Sequence, residues 1–402
     1  MVEIQSFLYN NIGTILEQKS VDYSVLTIEE QYNFFEMTRA HEIHLLVYDS
    51  FKNSDMDHFD ESLLNEWKAL YLQSTMGHLY KIKNIRTLFD SFKENDIEVM
   101  LLKGISYSRY YKNPSSRRMG DIDIYVKEKQ IDMACEVLES YGYIQQLSTR
   151  KSHHLVFFCE GQLLVELHTE FVDQERFPDI YDMRYQIFED SYPIDYEGLS
   201  FISPTIEYEF LYCMLHMYKH YCYVGFGLKQ ICDLYYIISR NELNWAFILT
   251  KLTEYKMTNF SNVVFKILRE DFSLTLPDII KKSLGKVDTE IVELLKNDVF
   301  LSGPFGFFDK SKFLSNQIAD HTLKTSKSFI SKKLSFLFPS REHLAGITRY
   351  KYCRKTVLFL PIAWIHRIVS NLLRQNISIS NNYVDNEFIN KRIKLKKWVT
   401  EK

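Results

Sequence analysis

Leu101–Val126 runs LLKGISYSRYYKNPSSRRMGDIDIYV, and the backbone pattern changes four times along it. The short apolar run Ile97–Leu102 stops at Lys103-Gly104. A helix is expected over Ser106–Tyr111, then a turn at Asn113-Pro114-Ser115-Ser116, where Asn, Pro and Ser each favour chain reversal. Asp121–Val126 alternates polar and apolar residues as a half-buried strand does. On such a strand Asp121 and Asp123 point to one face, while Ile122 and Ile124 point to the other, into a core.

Outward from this stretch the texture stays mixed. Ile131–Tyr141 has helical spacing and ends at Gly142, a residue suited to a C-terminal cap. Leu155–Cys159 and Leu163–His168 read as strands joined through Glu160-Gly161-Gln162, a short glycine-containing hairpin loop. The order strand, helix, strand, helix, strand, strand predicts a small mixed sheet with helices on one side. Residues 1–95 carry apolar positions at three- and four-residue spacing over Ile28–Phe51 and Leu63–Phe92. Trp67, Leu70, Tyr71, Met76, Leu79 and Tyr80 are expected to pack in a core along one stripe of that second segment. Beyond Pro204 helices are expected at Thr205–Tyr221, Leu228–Arg240, Trp245–Lys256 and Phe260–Arg269. The predicted class is α+β. A mixed-sheet core at 96–203 lies between helical regions at 1–95 and 204–375, and a polar, loosely held tail occupies 376–402.

The bulk numbers exclude little. A chain of 402 residues can bury a sizeable core. Gly and Pro are scarce (13 and 8) and aromatics reach 15%, which favours helix-rich architecture over a turn-punctuated all-β one. A net charge of −3 gives no global reason to expect nucleic-acid binding. Six scattered Cys without a C-x-x-C pair suggest neither a zinc site nor a disulfide framework, so reduced thiols in a cytosol are expected. The start MVEIQSFLYNN does not read as a signal peptide. The apolar run Val357–Ile365 is far too short for a membrane span.

The carboxylate pair carries the chemistry. Two carboxylates roughly 6 Å apart repel by about 3 kcal/mol at an effective dielectric of ~20, so a cation or basic partner is expected between them. Mg²⁺ takes oxygen ligands, often one or two carboxylates together with substrate phosphates. That combination serves phosphoryl or nucleotidyl transfer, in which metal activates the attacking hydroxyl and neutralises the leaving pyrophosphate. Glu166 and His168 share a face of the later strand, and Glu166 would complete a three-carboxylate site as ligand or general base. At Lys103-Gly104-Ile105-Ser106 an apolar strand meets a helix, and glycine there lets phosphate approach backbone N–H groups. No Walker-type G-x-x-x-x-G-K-[ST] occurs.

These pieces resemble the nucleotidyltransferase superfamily with its polymerase-beta-like core, where a glycine turn precedes a D-x-D strand and a third acid lies on a later strand. More closely, the chain is similar to the bacterial uncharacterised nucleotidyltransferase family found near biosynthetic gene clusters. The resemblance rests on Leu101–Gly104, Arg117–Val126, Tyr141-Gly142-Tyr143 and VELH at Val165–His168. It extends to HMYKH at His216–His220, to GLKQICDL at Gly227–Leu234, and loosely to FPSRE and the later LP-x-x-W-x-x-R. It implies that Asp121, Asp123 and Glu166 are catalytic and hold Mg²⁺ or Mn²⁺. Lys103, Gly104, Ser106, Arg117 and His168 would bind an NTP such as ATP. Thr169 departs from the pattern, since relatives often carry Trp after the histidine, which puts base or acceptor stacking in doubt.

His216 and His220 lie one helical turn apart, but Met217 stands where a zinc protease's H-E-x-x-H needs glutamate. They read either as satisfied helix histidines or, from their position in the resemblance and together with Lys229 and Asp233, as residues lining the cleft. The alternative for Lys229 and Asp233 is an i,i+4 surface pair.

The leading functional expectation is a cytoplasmic enzyme moving an NMP from NTP to a hydroxyl or phosphate of a small molecule or peptide. An RNA acceptor, as in toxin-like nucleotidyltransferases, is the second. Residues 324–374 motivate it, with eleven Lys/Arg against the single acid Glu342 and interleaved aromatics. The third is a non-catalytic nucleotide-binding or membrane-surface module, for which Lys351–Arg374 is the relevant stretch.

Overall fold

The computed structural model describes residues 3–146, 154–172, 174–175, 177–303, 344, 352, 359–366 and 386–400. The chain divides into two compact units, Met1–Phe308 with Val399–Lys402, and Asp309–Trp398. In the second unit Leu344 and Ala363 are buried among Tyr352, Leu360 and Trp364. The tail expected to be loosely held contains a helix, Asn386–Thr400. All eleven cations of the basic region lie outside the described residues.

Four helices open the first unit: α1 (Ile4–Leu16), α2 (Ile28–Ala40), α3 (His44–Phe51) and α4 (Glu61–Glu94). Local signals set their starts. Thr27 and Glu30 form a reciprocal capping box on α2, and Asp60 caps α4 through the Leu63 N–H at 2.8 Å. The buried stripe of α4 runs Leu63, Trp67, His78, Ile82, Ile85, Phe89, Phe92. The stripe expected from the sequence therefore splits. Trp67 is buried, whereas Met76, Leu79 and Tyr80 are 73%, 62% and 59% exposed. At about 100° per residue Met76 lies on nearly the opposite side from His78, so apolar spacing alone chose the wrong phase.

Gly77 sits in the middle of α4, and a Cβ built there would meet nothing within 4 Å. A mid-helix glycine destabilises by roughly 0.5–1 kcal/mol relative to alanine. Gly77→Ala should therefore raise the free energy of unfolding by that amount, seen in urea titration of the full chain as a higher midpoint with an unchanged slope.

The sheet begins with β1 (Met100–Leu102). It is followed by the short α5 (Gly104–Ser108), β2 (Asp121–Tyr125), α6 (Ile131–Ser140), β3 (Ile144–Gln145), β4 (His154–Phe158) and β5 (Leu164–His168). After a turn of helix, α7 (Met183–Gln186), a hairpin adds β6 (Tyr192–Tyr196) and β7 (Leu199–Ser203). The seven strands lie in the order β3-β4-β5-β2-β1-β7-β6. β2 runs parallel to β5 and antiparallel to β1, so the sheet is mixed. The β6–β7 hairpin was not expected from the sequence. Its turn is Glu197-Gly198, both with positive φ, and a mostly exposed β6 carrying Pro193 gives little alternation to read.

One face of the sheet is the core. Ile122, Ile124, Val165 and Leu167 pack with Ile85 and Phe89 of α4 and Val137 and Leu138 of α6. Gly142 (φ +82) ends α6 in the left-handed conformation that a cap glycine supplies. Six further helices follow the sheet in the chain: α8 (Ile206–Tyr223), α9 (Leu228–Arg240), α10 (Trp245–Glu254), α11 (Thr258–Glu270), α12 (Asp278–Leu284) and α13 (Thr289–Ser302). Of these, α8 and α9 bear on the site. Among the described residues no helix is long and apolar enough to cross a membrane.

Candidate functional site

The parallel pairing of β2 with β5 sets Asp123 opposite Glu166 and Tyr125 opposite His168. Strand alternation then puts Asp121, Asp123, Glu166 and His168 on the face away from the Ile122/Ile124 core. All four line one cleft of about 400 Å³. Asp123, Glu166 and His168 each offer a ligand atom, and these atoms lie within 4.8 Å of one another. Asp121 stands at the open start of β2 and has no bonded protein partner among the described residues.

The two aspartates have opposite electrostatics. Asp123 is 1% exposed. Lys103 Nζ reaches its Oδ1 at 2.8 Å, and His168 Nε2 donates to the same oxygen at 2.8 Å. Burial would raise this carboxyl, but Lys103 and His168 outweigh it and hold it well below the ordinary carboxylate range. Asp121 goes the other way: burial and then the Asp123 charge push it up. Glu166 is pushed up to about 7, by burial first and Asp123 second. The cleft thus holds more negative charge than its own cations compensate, the pattern expected where a further cation or a cationic complex binds.

Lys103 is placed by a strained backbone. Its φ of +51° and ψ of −148° fall where side chains rarely go, at a cost of about 1–3 kcal/mol. Gly104 follows with φ +45°, so β1 turns sharply into α5 and the Lys103 side chain is directed across the cleft. Burial acts to lower the Lys103 ammonium, yet Asp123 overrides it and the net shift is upward.

α8 supplies the opposite wall. Lys103 Nζ also lies 3.1 Å from His216 Nε2, which in turn meets His220 Nε2 at 3.0 Å. An ammonium only donates, so His216 Nε2 accepts and its ring is neutral. Burial, Lys103 and His220 all push its pKa well below the ordinary value, in keeping with that tautomer. Lys219 lines the same wall, lowered to about 8 by burial and by Lys103.

α9 contributes Lys229 and Asp233, which do not pair with each other. Lys229 Nζ binds Glu42 Oε2 at 2.6 Å. Asp233 takes both prongs of Arg117, Nε to Oδ1 at 2.7 Å and Nη2 to Oδ2 at 2.8 Å, and accepts from Tyr111 Oη at 2.6 Å. The surface-pair alternative is therefore replaced by two buried ion pairs, Arg117–Asp233 tying α9 to the segment before β2 and Lys229–Glu42 tying it to the turn between α2 and α3.

Two sequence expectations change here. Arg117 lines the cleft, but its fork is bound to Asp233 rather than left for phosphate. Ser106 does not line the cleft. It is fully buried, donates to Glu209 Oε1 at 3.2 Å and accepts from Arg109 Nη1 at 2.6 Å. The turn of α5 directs it into this second network, which anchors the helix from beneath. Gly104, Lys103, His216, His220, Lys229 and Asp233 do line the cleft.

The sequence reading assigned no role to His154, Glu42 or Lys219. His154 was within reach: the symmetric hairpin around Gly161 pairs it with His168. Its Nε2 lies 3.7 Å from Glu166 Oε1. Lys219 is three residues from His216 and so shares its helical face. Glu42 gave no signal, because only the packed fold carries the turn between α2 and α3 to the cleft.

A family model described as "Uncharacterised nucleotidyltransferase" matches residues 29–272. A solved structure described as an antigenic nucleotidyltransferase-like protein from Paracoccidioides brasiliensis is similar at 17% identity and a TM-score of 0.34, over 49% of this chain and 94% of that one. No curated protein matches.

Proposed function

Given that the chain belongs to the uncharacterised nucleotidyltransferase family, we propose that it transfers a nucleoside monophosphate from an NTP to a hydroxyl or phosphate of a small molecule or peptide, with Mg²⁺ or Mn²⁺. The observation that carries this reading is the gathering of Asp123, Glu166 and His168 ligand atoms within 4.8 Å, with Asp121 lining the same cleft. The donor set fits a divalent cation: carboxylate oxygens suit Mg²⁺ and Mn²⁺. Asp121, Asp123 and Glu166 would hold it, with His168 supporting Asp123. When bound, such a cation neutralises triphosphate charge and lowers the pKa of an attacking hydroxyl.

The chain's own residues then divide the work. Lys103 and Lys219 face the cleft from β1 and α8 and supply fixed positive charge for a triphosphate. The acceptor oxygen attacks the α-phosphorus, the bond from that phosphorus to the β-phosphate bridging oxygen breaks, and pyrophosphate leaves. Glu166 lies beside the cation site and, where it does not itself ligate the cation, is the carboxylate placed to accept the acceptor's proton. We read 96–203 as the transferring core and the flanking helices as its walls.

The direct test is a screen of the four NTPs for pyrophosphate release with Mg²⁺ or Mn²⁺, alone and with candidate acceptors. Release from at least one NTP that disappears with EDTA is expected. Metal-independent release would contradict the assignment of the carboxylates.

A further inference from the structure

A second, larger space lies beside the cleft. It has a volume of about 900 Å³ and is walled by α2, by the middle of α4 and by the Ser115–Met119 segment that leads into β2. We propose that this groove is the acceptor pocket, and that it takes a small molecule carrying an anionic group on an apolar body. The proposal rests on the nucleotidyl-transfer reading of the cleft and deepens it by placing the second substrate.

Position is the first argument. Arg117 lines both spaces. From the groove side Arg118 Nη1 approaches Glu42 Oε1 at 3.6 Å, while the other Glu42 oxygen holds Lys229 of the cleft. Arg117 is the residue common to both linings, and an acceptor seated in the groove would extend its reacting oxygen past this side chain to within about 3–3.5 Å of the α-phosphorus, as transfer requires. The groove volume falls within the roughly 300–1,000 Å³ range of small-molecule sites.

Charge is the second. Arg39, Lys81 and Arg118 line the groove. Arg39 is paired with Glu36 at 2.9 Å. Lys81 is half-buried and its Nζ donates to the Met119 carbonyl at 3.0 Å, with no carboxylate bound to it among the described residues. His44, 5% exposed, lines the same space, and its Nδ1 is a buried polar atom without a hydrogen-bond partner. An ammonium with no carboxylate bound to it suits an anionic ligand. Met37, Leu70 and Met119 supply the apolar wall for the rest of such a molecule.

Gly77 is the third. It lines the groove, and a Cβ there would meet no protein atom within 4 Å. Nothing in the packing requires glycine at this helix position. The open space beside it leaves room for a ligand to lie against the α4 backbone.

The test uses phenyl phosphate as probe and benzyl alcohol as its neutral counterpart, titrated calorimetrically into the full chain. Phenyl phosphate is expected to bind more tightly than benzyl alcohol. It should weaken at least about tenfold in Lys81→Met and in Gly77→Phe, while remaining unchanged in Lys219→Met. Binding of NTP with Mg²⁺ should persist in Lys81→Met, which also shows that this variant is folded. Equal binding of the two probes, or a loss in Lys219→Met without one in Lys81→Met, would overturn the acceptor pocket and leave the cleft reading intact. Failure of the wild type to bind any NTP, with phenyl phosphate still bound in the groove, would overturn the transfer reading and the acceptor assignment with it.

Discussion

Replacing Asp123 by Asn is expected to lower metal-dependent pyrophosphate release by at least about 10³-fold, equivalent to some 4 kcal/mol of transition-state stabilisation. The variant should also be less stable than the wild type. Both effects follow from one position. Asp123 is the buried carboxylate that Lys103 and His168 share, at 2.8 Å each, and its amide would leave the Lys103 ammonium buried without a counter-charge. Asp121→Asn is expected to lose activity to a comparable extent without that loss of stability. Burial and the Asp123 charge raise the Asp121 pKa in the folded chain. Where the folded pKa exceeds the unfolded one, the native state binds more protons, and the ionised form works against folding. Neutralising Asp121 should therefore leave the denaturation midpoint at neutral pH unchanged or higher. Pyrophosphate release and urea titration on the same two variants separate the roles. Equal destabilisation by both, or full activity in either, would contradict the division.

The second large effect concerns Lys103. Lys103→Met keeps the length of the side chain and removes its charge, so Asp123 retains only His168. Breaking a buried ion pair by removing one partner destabilises by about 3–5 kcal/mol, and urea titration should show a loss of that order. Replacement by Gly should lose less than replacement by Met, because Gly relieves the φ +51° strain worth about 1–3 kcal/mol. Addition of Mn²⁺ should raise the midpoint of Lys103→Met by more than that of the wild type, since a cation bound at Asp123 replaces the missing ammonium. A variant as stable as the wild type, or one insensitive to Mn²⁺, would show that Lys103 does not balance Asp123.

The central strand was legible because two independent patterns agree on it. Asp121-Ile122-Asp123-Ile124 alternates with a period of two, and the β4–β5 hairpin around Gly161 carries Glu166-x-His168 with the same period. Parallel pairing of β2 and β5 then brings the acids together, a register that sequence spacing permits but does not specify. The partners of single side chains were less legible. Ser106 and Arg117 occupy positions suited to phosphate contact, yet Glu209 and Asp233 claim them from helices about a hundred residues distant. Likewise the exposed Met76, Leu79 and Tyr80 have the spacing of a core stripe, and only the packing of α4 on the sheet shows that the phase set by His78 and Ile82 is the buried one. The β6–β7 hairpin escaped because an edge strand with one covered side shows little alternation.

The Asp121, Asp123 and Glu166 carboxylates are proposed to form a metal and triphosphate site. Calorimetric titration of each NTP into the full chain, with Mg²⁺ or Mn²⁺ and again with EDTA, tests this most directly. Saturable binding of at least one NTP that requires the divalent ion and is lost in Asp121→Asn is the predicted result. Absence of metal-dependent binding for all four NTPs in the wild type would contradict it.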